Sequence, residues 1–256
     1  MKGLWNSFKI AFSMYSKIPM PYSDWKKENM RYSMCFFPFV GAVIGLLVWL
    51  WSKALSFLPF EHQLDTAVYI LLPMLVTGGI HFDGFLDTQD ALNSHQTKER
   101  KLEILKDPHT GAFAIISGIL YFILAFGIWS EVDGKAVGIL SVGFILSRAF
   151  SGLSVVTFPM AKNSGLAATF SESAPKKRVR ITMIVYILLC AGVMLWIEPY
   201  LAIAAIAAAG LVFAYYRWMS MREFGGITGD LAGYFLQVCE LGMAIAVIVT
   251  ECFLVG

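Results

Sequence analysis

The chain has 256 residues, 57% of them hydrophobic and only 15% charged, with a formal net charge of +2. A soluble domain carries about 25% charged residues, which excludes that class, while the net charge itself says little. The apolar residues fall in blocks of about 18 or more, too long for barrel strands and long enough for bilayer-crossing helices.

The chain therefore reads as all-α: a polytopic integral membrane helical bundle forming a single domain over 1–256, with the lipid bilayer as its first partner. Residues 1–20 predict an amphipathic helix. Leu4, Phe8, Ala11, Phe12 and Tyr15 share a face that leaves Lys2, Lys9 and Lys17 outside, as in a helix lying in the membrane interface. Pro19 and Pro21 stop it, and 1–35 forms an interfacial and cytoplasmic segment. Lys9, Lys17 and neighbouring polar residues interrupt any signal-peptide core. Seven spans are predicted, at 36–58, 65–82, 111–130, 136–158, 181–198, 199–216 and 232–255. Only Glu198-Pro199 joins the fifth and sixth, which predicts a tight hairpin. Gly41-x-x-x-Gly45 reads as ordinary close packing. Cys35, Cys190, Cys239 and Cys252 are scattered singly, as small buried hydrophobes in a reducing setting.

With the N-terminus in the cytoplasm, 17 of the 20 Lys and Arg fall on inner segments. The outer loops hold Glu61, Asp65, Glu131, Asp133, Glu198 and Lys135. The positive-inside rule favours this orientation. It predicts a cytoplasmic (inner) membrane protein whose 94–110, 159–180 and 217–231 loops open on the cytoplasm.

The second span ends in the string Gly78 to Leu92, GGIHFDGFLDTQDAL. Asp83, Asp87 and Asp90 are spaced i, i+4, i+7, which on a helix places three carboxylates within an arc of about 60°. Like charges on one face repel, and a cation between them removes the penalty. Mg²⁺ accepts carboxylates and substrate oxygens together, so these three are candidate catalytic residues and metal ligands. Gly84 is expected to let a phosphate approach. Ser94, at i+11, returns to the same face. His81 points away on a continuous helix and reads as structural.

Downstream, Asp107-Pro108 predicts a turn or cap before the third span. Lys106 and His109 are candidate phosphate binders, with Lys as a point charge. Arg148 lies inside the fourth span, where a charge must face the bundle interior. It is expected to hold a phosphate or to pair with an aspartate. Asp230 opens the last span within a glycine-rich run and is a candidate fourth metal ligand. Glu240 lies roughly 15 Å further along that helix. With Ser94 and Asp107 it is assigned a supporting role behind the direct ligands. The pattern describes a membrane enzyme acting on phosphates at the cytoplasmic face. A transporter is the competing class, but the acids gather at one face and no repeat is visible.

The acidic array resembles in part that of the CDP-alcohol phosphatidyltransferases, without their arginine spacing or final aspartate pair. A fuller resemblance is to the cobalamin synthase (adenosylcobinamide-GDP ribazoletransferase) family. Gly78-Gly79-Ile80-His81-Phe82-Asp83-Gly84 through Asp87 and Asp90 is similar to its G-G-x-H-x-D-G-x-x-D-x-x-D. Glu103 to Asp107 with Gly111-Ala112-Phe113 is similar to E-I-M-K-D followed by G-x-F. Smaller matches are Phe37 to Gly41, Ser147-Arg148, Ser164-Gly165-Leu166 and Gly226 to Asp230. Ala91 and Pro108-His109 depart from the pattern. The resemblance implies a Mg²⁺-dependent transferase of cobalamin biosynthesis. Its substrates would be a corrinoid nucleotide, adenosylcobinamide-GDP, and α-ribazole or its 5′-phosphate, with release of GMP. No nucleic acid is implied, and homo-oligomer formation stays open.

Overall fold

The computed structural model describes residues 2–54, 62–162 and 165–255; the predicted end of the first span at 55–58, Glu61 and Ser164 lie outside them. Among the described residues twelve helices run α1 (Lys2–Tyr15), α2 (Lys27–Met30), α3 (Ser33–Ala54), α4 (His62–Thr77), α5 (Ile80–Asn93), α6 (Lys98–Ile104), α7 (Ala112–Trp129), α8 (Gly134–Thr157), α9 (Leu166–Ser173), α10 (Lys176–Ile197), α11 (Pro199–Phe224) and α12 (Gly229–Val255). The fold is all-helical, as a chain that must satisfy its own backbone in lipid requires.

Six helices, α3, α7, α8, α10, α11 and α12, are long and apolar enough to cross a membrane, and α4 with α5 makes a seventh if that bent pair counts as one span. Here the expectation needs correcting. The second span was predicted to run unbroken through 65–82, but Gly78 and Gly79 adopt positive φ of 66° and 80°, a conformation glycine takes without steric penalty. The helix axis turns by 96° there. The aspartates therefore ride on a separate 14-residue helix, α5.

The bundle is built around α8, 78% of whose apolar window is buried, against 22% for α7 and 17% for α10, which turn their leucines and isoleucines outward. Gly41 and Gly45 of α3 press against the backbone of Phe144 and Ser141 in α8, leaving no room for a Cβ. That is the packing use of a small-xxx-small pair. The α10–α11 hairpin forms as expected, α10 ending at Ile197 and α11 starting at Pro199, and Lys135 Nζ binds Glu198 Oε2 at 2.6 Å at the same end of the bundle. The second half of α1 is packed inward through Ile10 and Phe12, while Leu4 and Trp5 stay exposed. Its Lys9 reaches out of the apolar contact to the Tyr22 carbonyl, 3.1 Å away. All four cysteines are free thiols.

Candidate active site

The site begins with two glycines. A Cβ on Gly84 of α5 would lie 2.7 Å from the Asp230 carbonyl oxygen, and one on Gly233 of α12 would lie 2.9 Å from that of His81. Both helices shed side chains where they cross, so their backbones touch. Gly84 thus brings α12 close; the space expected there for a phosphate is filled by the Asp230 backbone. Phe85 stacks on Tyr234 at 5.8 Å across the same crossing, and Tyr121 of α7 donates to Gln237 of α12 at 2.8 Å.

This crossing brings Asp230 to the α5 aspartates. Asp83, Asp230 and Asp90 all lie close enough to Asp87 to act on its charge. The four do not share one environment. Asp90 accepts from the backbone N–H of Gly111 at 2.7 Å and of Ala114 at 3.3 Å. It caps α7, whose own N-cap residue, Gly111, has no side chain to do so. A carboxylate there also meets the positive end of the helix dipole.

Asp83 and Asp230 line a cavity of about 420 Å³. Lys106 and Lys162 line it too, with an apolar wall that includes Met14, Tyr15, Met34 and Phe37. The loop carrying Lys162 is tied to the α11–α12 turn, since Ala161 N donates to Ile227 O at 3.0 Å and Ile227 N to Pro159 O at 2.9 Å. Lys162 Nζ donates to the Leu102 carbonyl at 2.6 Å. Partial burial and the neighbouring Lys106 charge hold its ammonium below the ordinary lysine range. Lys101, 6% exposed, binds Glu223 Oε2 at 2.6 Å and anchors α6 to α11, which fixes the loop bearing Lys106.

Other expected site residues lie elsewhere. Arg148, 1% exposed, donates to Glu240 Oε1 at 2.5 Å and to the Phe144 carbonyl at 2.9 Å, and Ser147 Oγ also meets Glu240 at 2.9 Å. The geometry gives Arg148 neither the phosphate nor the aspartate expected of it, but a structural ion pair with Glu240. Its guanidinium is engaged inside the bundle, and it is not among the cavity's lining residues. His109 is exposed and bonded to Asp107 Oδ1 at 2.7 Å, away from the cavity. Ser94 closes the end of α5 through the Ala91 carbonyl, 2.7 Å away. Two lining residues were missed from sequence. Lys162 approaches only through tertiary folding of its loop. His81 was expected to point away, but it lines the cavity beside Asp83.

Among the described residues no three acidic, histidine or cysteine side chains converge as a ready-made metal cage. Mg²⁺ typically takes one or two carboxylates and completes its octahedron with water and substrate phosphates, so two carboxylates at the cavity are enough to test for it. Asp83, Asp87 and Asp230 offer only hard oxygen donors, the type it prefers.

The family model described as cobalamin-5-phosphate synthase matches residues 7–248. An adenosylcobinamide-GDP ribazoletransferase from Lachnoclostridium phytofermentans is 48% identical, over 98% of this chain and 96% of its own. Proteins of the same name from Clostridium botulinum (strain Alaska E43) and Desulfitobacterium hafniense are 34% and 33% identical, over 94% of this chain and 96% and 94% of theirs. No solved structure matches.

Proposed function

The chain belongs to the cobalamin-5-phosphate synthase family, and from that membership we propose how its residues divide the work of a ribazole transfer. The chain is a membrane transferase that joins adenosylcobinamide-GDP to α-ribazole or its 5′-phosphate and releases GMP. The observation that carries the site assignment is the pairing of Asp83 and Asp230 with Lys106 and Lys162 around one cavity.

A ribazole hydroxyl attacks the phosphorus nearer the cobinamide. A new P–O bond forms, the bridging P–O bond breaks, and the hydroxyl proton passes to a carboxylate of the cluster. Lys106 and Lys162 place positive charge on the diphosphate oxygens, and phosphoryl transfer depends chiefly on such positioning and charge stabilisation. Asp83 and Asp230, the two carboxylates that line the cavity, would hold Mg²⁺, with the Asp87 charge beside them. When bound, that ion supplies further positive charge to the diphosphate and to the departing GMP. Asp90 supports the site by fixing α7 against α5. A cavity of about 420 Å³ admits a nucleoside and phosphates but not a corrin macrocycle, so the corrinoid stays at the mouth. That mouth opens on the cytoplasm in a cytoplasmic-membrane protein whose N-terminus is also inside.

Purified protein in detergent, given adenosylcobinamide-GDP, α-ribazole and Mg²⁺, is expected to release GMP, followed by chromatography. Asp83→Asn and Asp230→Asn should each lower the rate by about 10²-fold or more, the scale of losing one preorganised electrostatic group. Near-normal turnover in both variants would reject the site, and absence of GMP from the wild-type protein would reject the reaction.

A further inference from the structure

His81 is 5% exposed, yet its Nε2 has no hydrogen-bond partner. Buried polar atoms in native proteins are almost always paired, and an unpaired one calls for an explanation. The imidazole lies against Tyr15, ring centroids 6.0 Å apart and planes 24° apart, and against Phe37 at 5.8 Å and 62°. All three rings line the cavity that also receives Asp83 and Asp230. Away from the charged end of the cavity, the wall formed by Tyr15, Met34, Phe37 and His81 offers apolar and aromatic faces and one buried polar atom without a partner, which suits a flat ring carrying a complementary atom.

Two nucleosides meet in the reaction. Guanine presents several donors and acceptors, and the Tyr15, Met34 and Phe37 wall beside His81 offers its edges no further side-chain partner than the Tyr15 hydroxyl. The base of ribazole is a benzimidazole, with one ring nitrogen in the glycosidic bond and one free as an acceptor. Resting on the transferase reading above, we propose that His81 binds the acceptor nucleoside, its imidazole N–H donating to the free ring nitrogen of the base while Tyr15, Met34 and Phe37 cover the base itself. His81 then selects the acceptor and leaves the corrinoid nucleotide untouched.

The test compares α-ribazole with the matching indole riboside, in which that nitrogen is replaced by CH, as acceptors for the wild-type protein, His81→Leu and His81→Gln. For the wild-type protein the indole riboside should show a KM about 3- to 10-fold higher, the value of one hydrogen bond. In His81→Leu the two acceptors should become equal, and in His81→Gln, which keeps a donor, part of the preference should return. The KM for adenosylcobinamide-GDP should not move in either variant. Equal KM values for the two acceptors with the wild-type protein would overturn the proposal without any substitution, whether or not His81→Leu folds. So would an unchanged preference in folded His81→Leu, or a shift that falls on the corrinoid nucleotide. GMP release by the wild-type protein with α-ribazole, measured first, separates these outcomes from failure of the transferase reading itself.

Discussion

Lys106 and Lys162 are two ammonium groups close enough to repel, and none of the ion pairs among the described residues neutralises either. Their repulsion is relieved when an anion enters, which makes them a better phosphate seat than a salt-bridged lysine. A lysine whose proton is held loosely loses it at lower pH. The alkaline limb of kcat/KM, which reports the free enzyme, should therefore fall below the ordinary lysine range. In Lys162→Arg, whose guanidinium stays charged, that limb should move to higher pH; an unmoved limb would remove Lys162 from the phosphate seat. Arg148 and Glu240 behave differently, because each satisfies the other away from water. Removing one partner strands a buried charge, at a cost of about 3–5 kcal/mol. Arg148→Ala or Glu240→Gln should thus reduce folded yield more than turnover per folded molecule, while Arg148→Met with Glu240→Leu recovers yield. Size-exclusion profiles beside specific activity would show it. At this scale the α5 aspartates were legible because their spacing alone sets their shared face. Lys162 was not, because its place depends on hydrogen bonds from Ala161 and Ile227 that link segments over 60 residues apart.

The α5 and α12 helices meet through glycine, and that contact fixes how far Asp230 stands from Asp83. Gly84→Ala would set a methyl 2.7 Å from the Asp230 carbonyl oxygen and 2.9 Å from its Cα, both backbone atoms that cannot swing aside. The variant should insert and fold, yet lose activity by about tenfold or more, since small displacements of a positioned group are expensive in rate. Gly45→Leu, on the α3–α8 contact remote from the cavity, should instead lower thermal stability with little effect on kcat. Wild-type rates in Gly84→Ala would show that the crossing distance is not critical. The glycines at 78–79 carried a breaker signal in the sequence, but the apolar length of 65–82 favoured an unbroken helix. The bend does not turn His81 relative to the aspartates, since all of them ride on α5; His81 was missed because the cavity wraps round the start of that helix and takes both His81 and Asp83. The α10–α11 hairpin, by contrast, was legible because proline is well placed at the first position of a helix and poorly placed within one.

Across the whole molecule, segments rich in lysine and arginine lie at the ends of spans, and the proposed orientation rests on that asymmetry. A single cysteine introduced at 98 or 177, in a background lacking the four native thiols, should resist an impermeant maleimide in intact cells and react once the membrane is opened. Labelling from outside at either position would invert the topology and place the cavity on the wrong face.

The cavity wall draws on Met14 and Tyr15 from the first helix and on Asp230 and Leu236 from the last. A ribosome must therefore make nearly the whole chain before any catalytic surface exists. While α5 is already inserted and α12 is still unmade, Asp83 and Asp87 have no Asp230 to join and the α5 glycine has no partner backbone. A product terminated before α12 should therefore turn over no nucleotide, and removal of either the first or the last helix should take away part of the cavity wall.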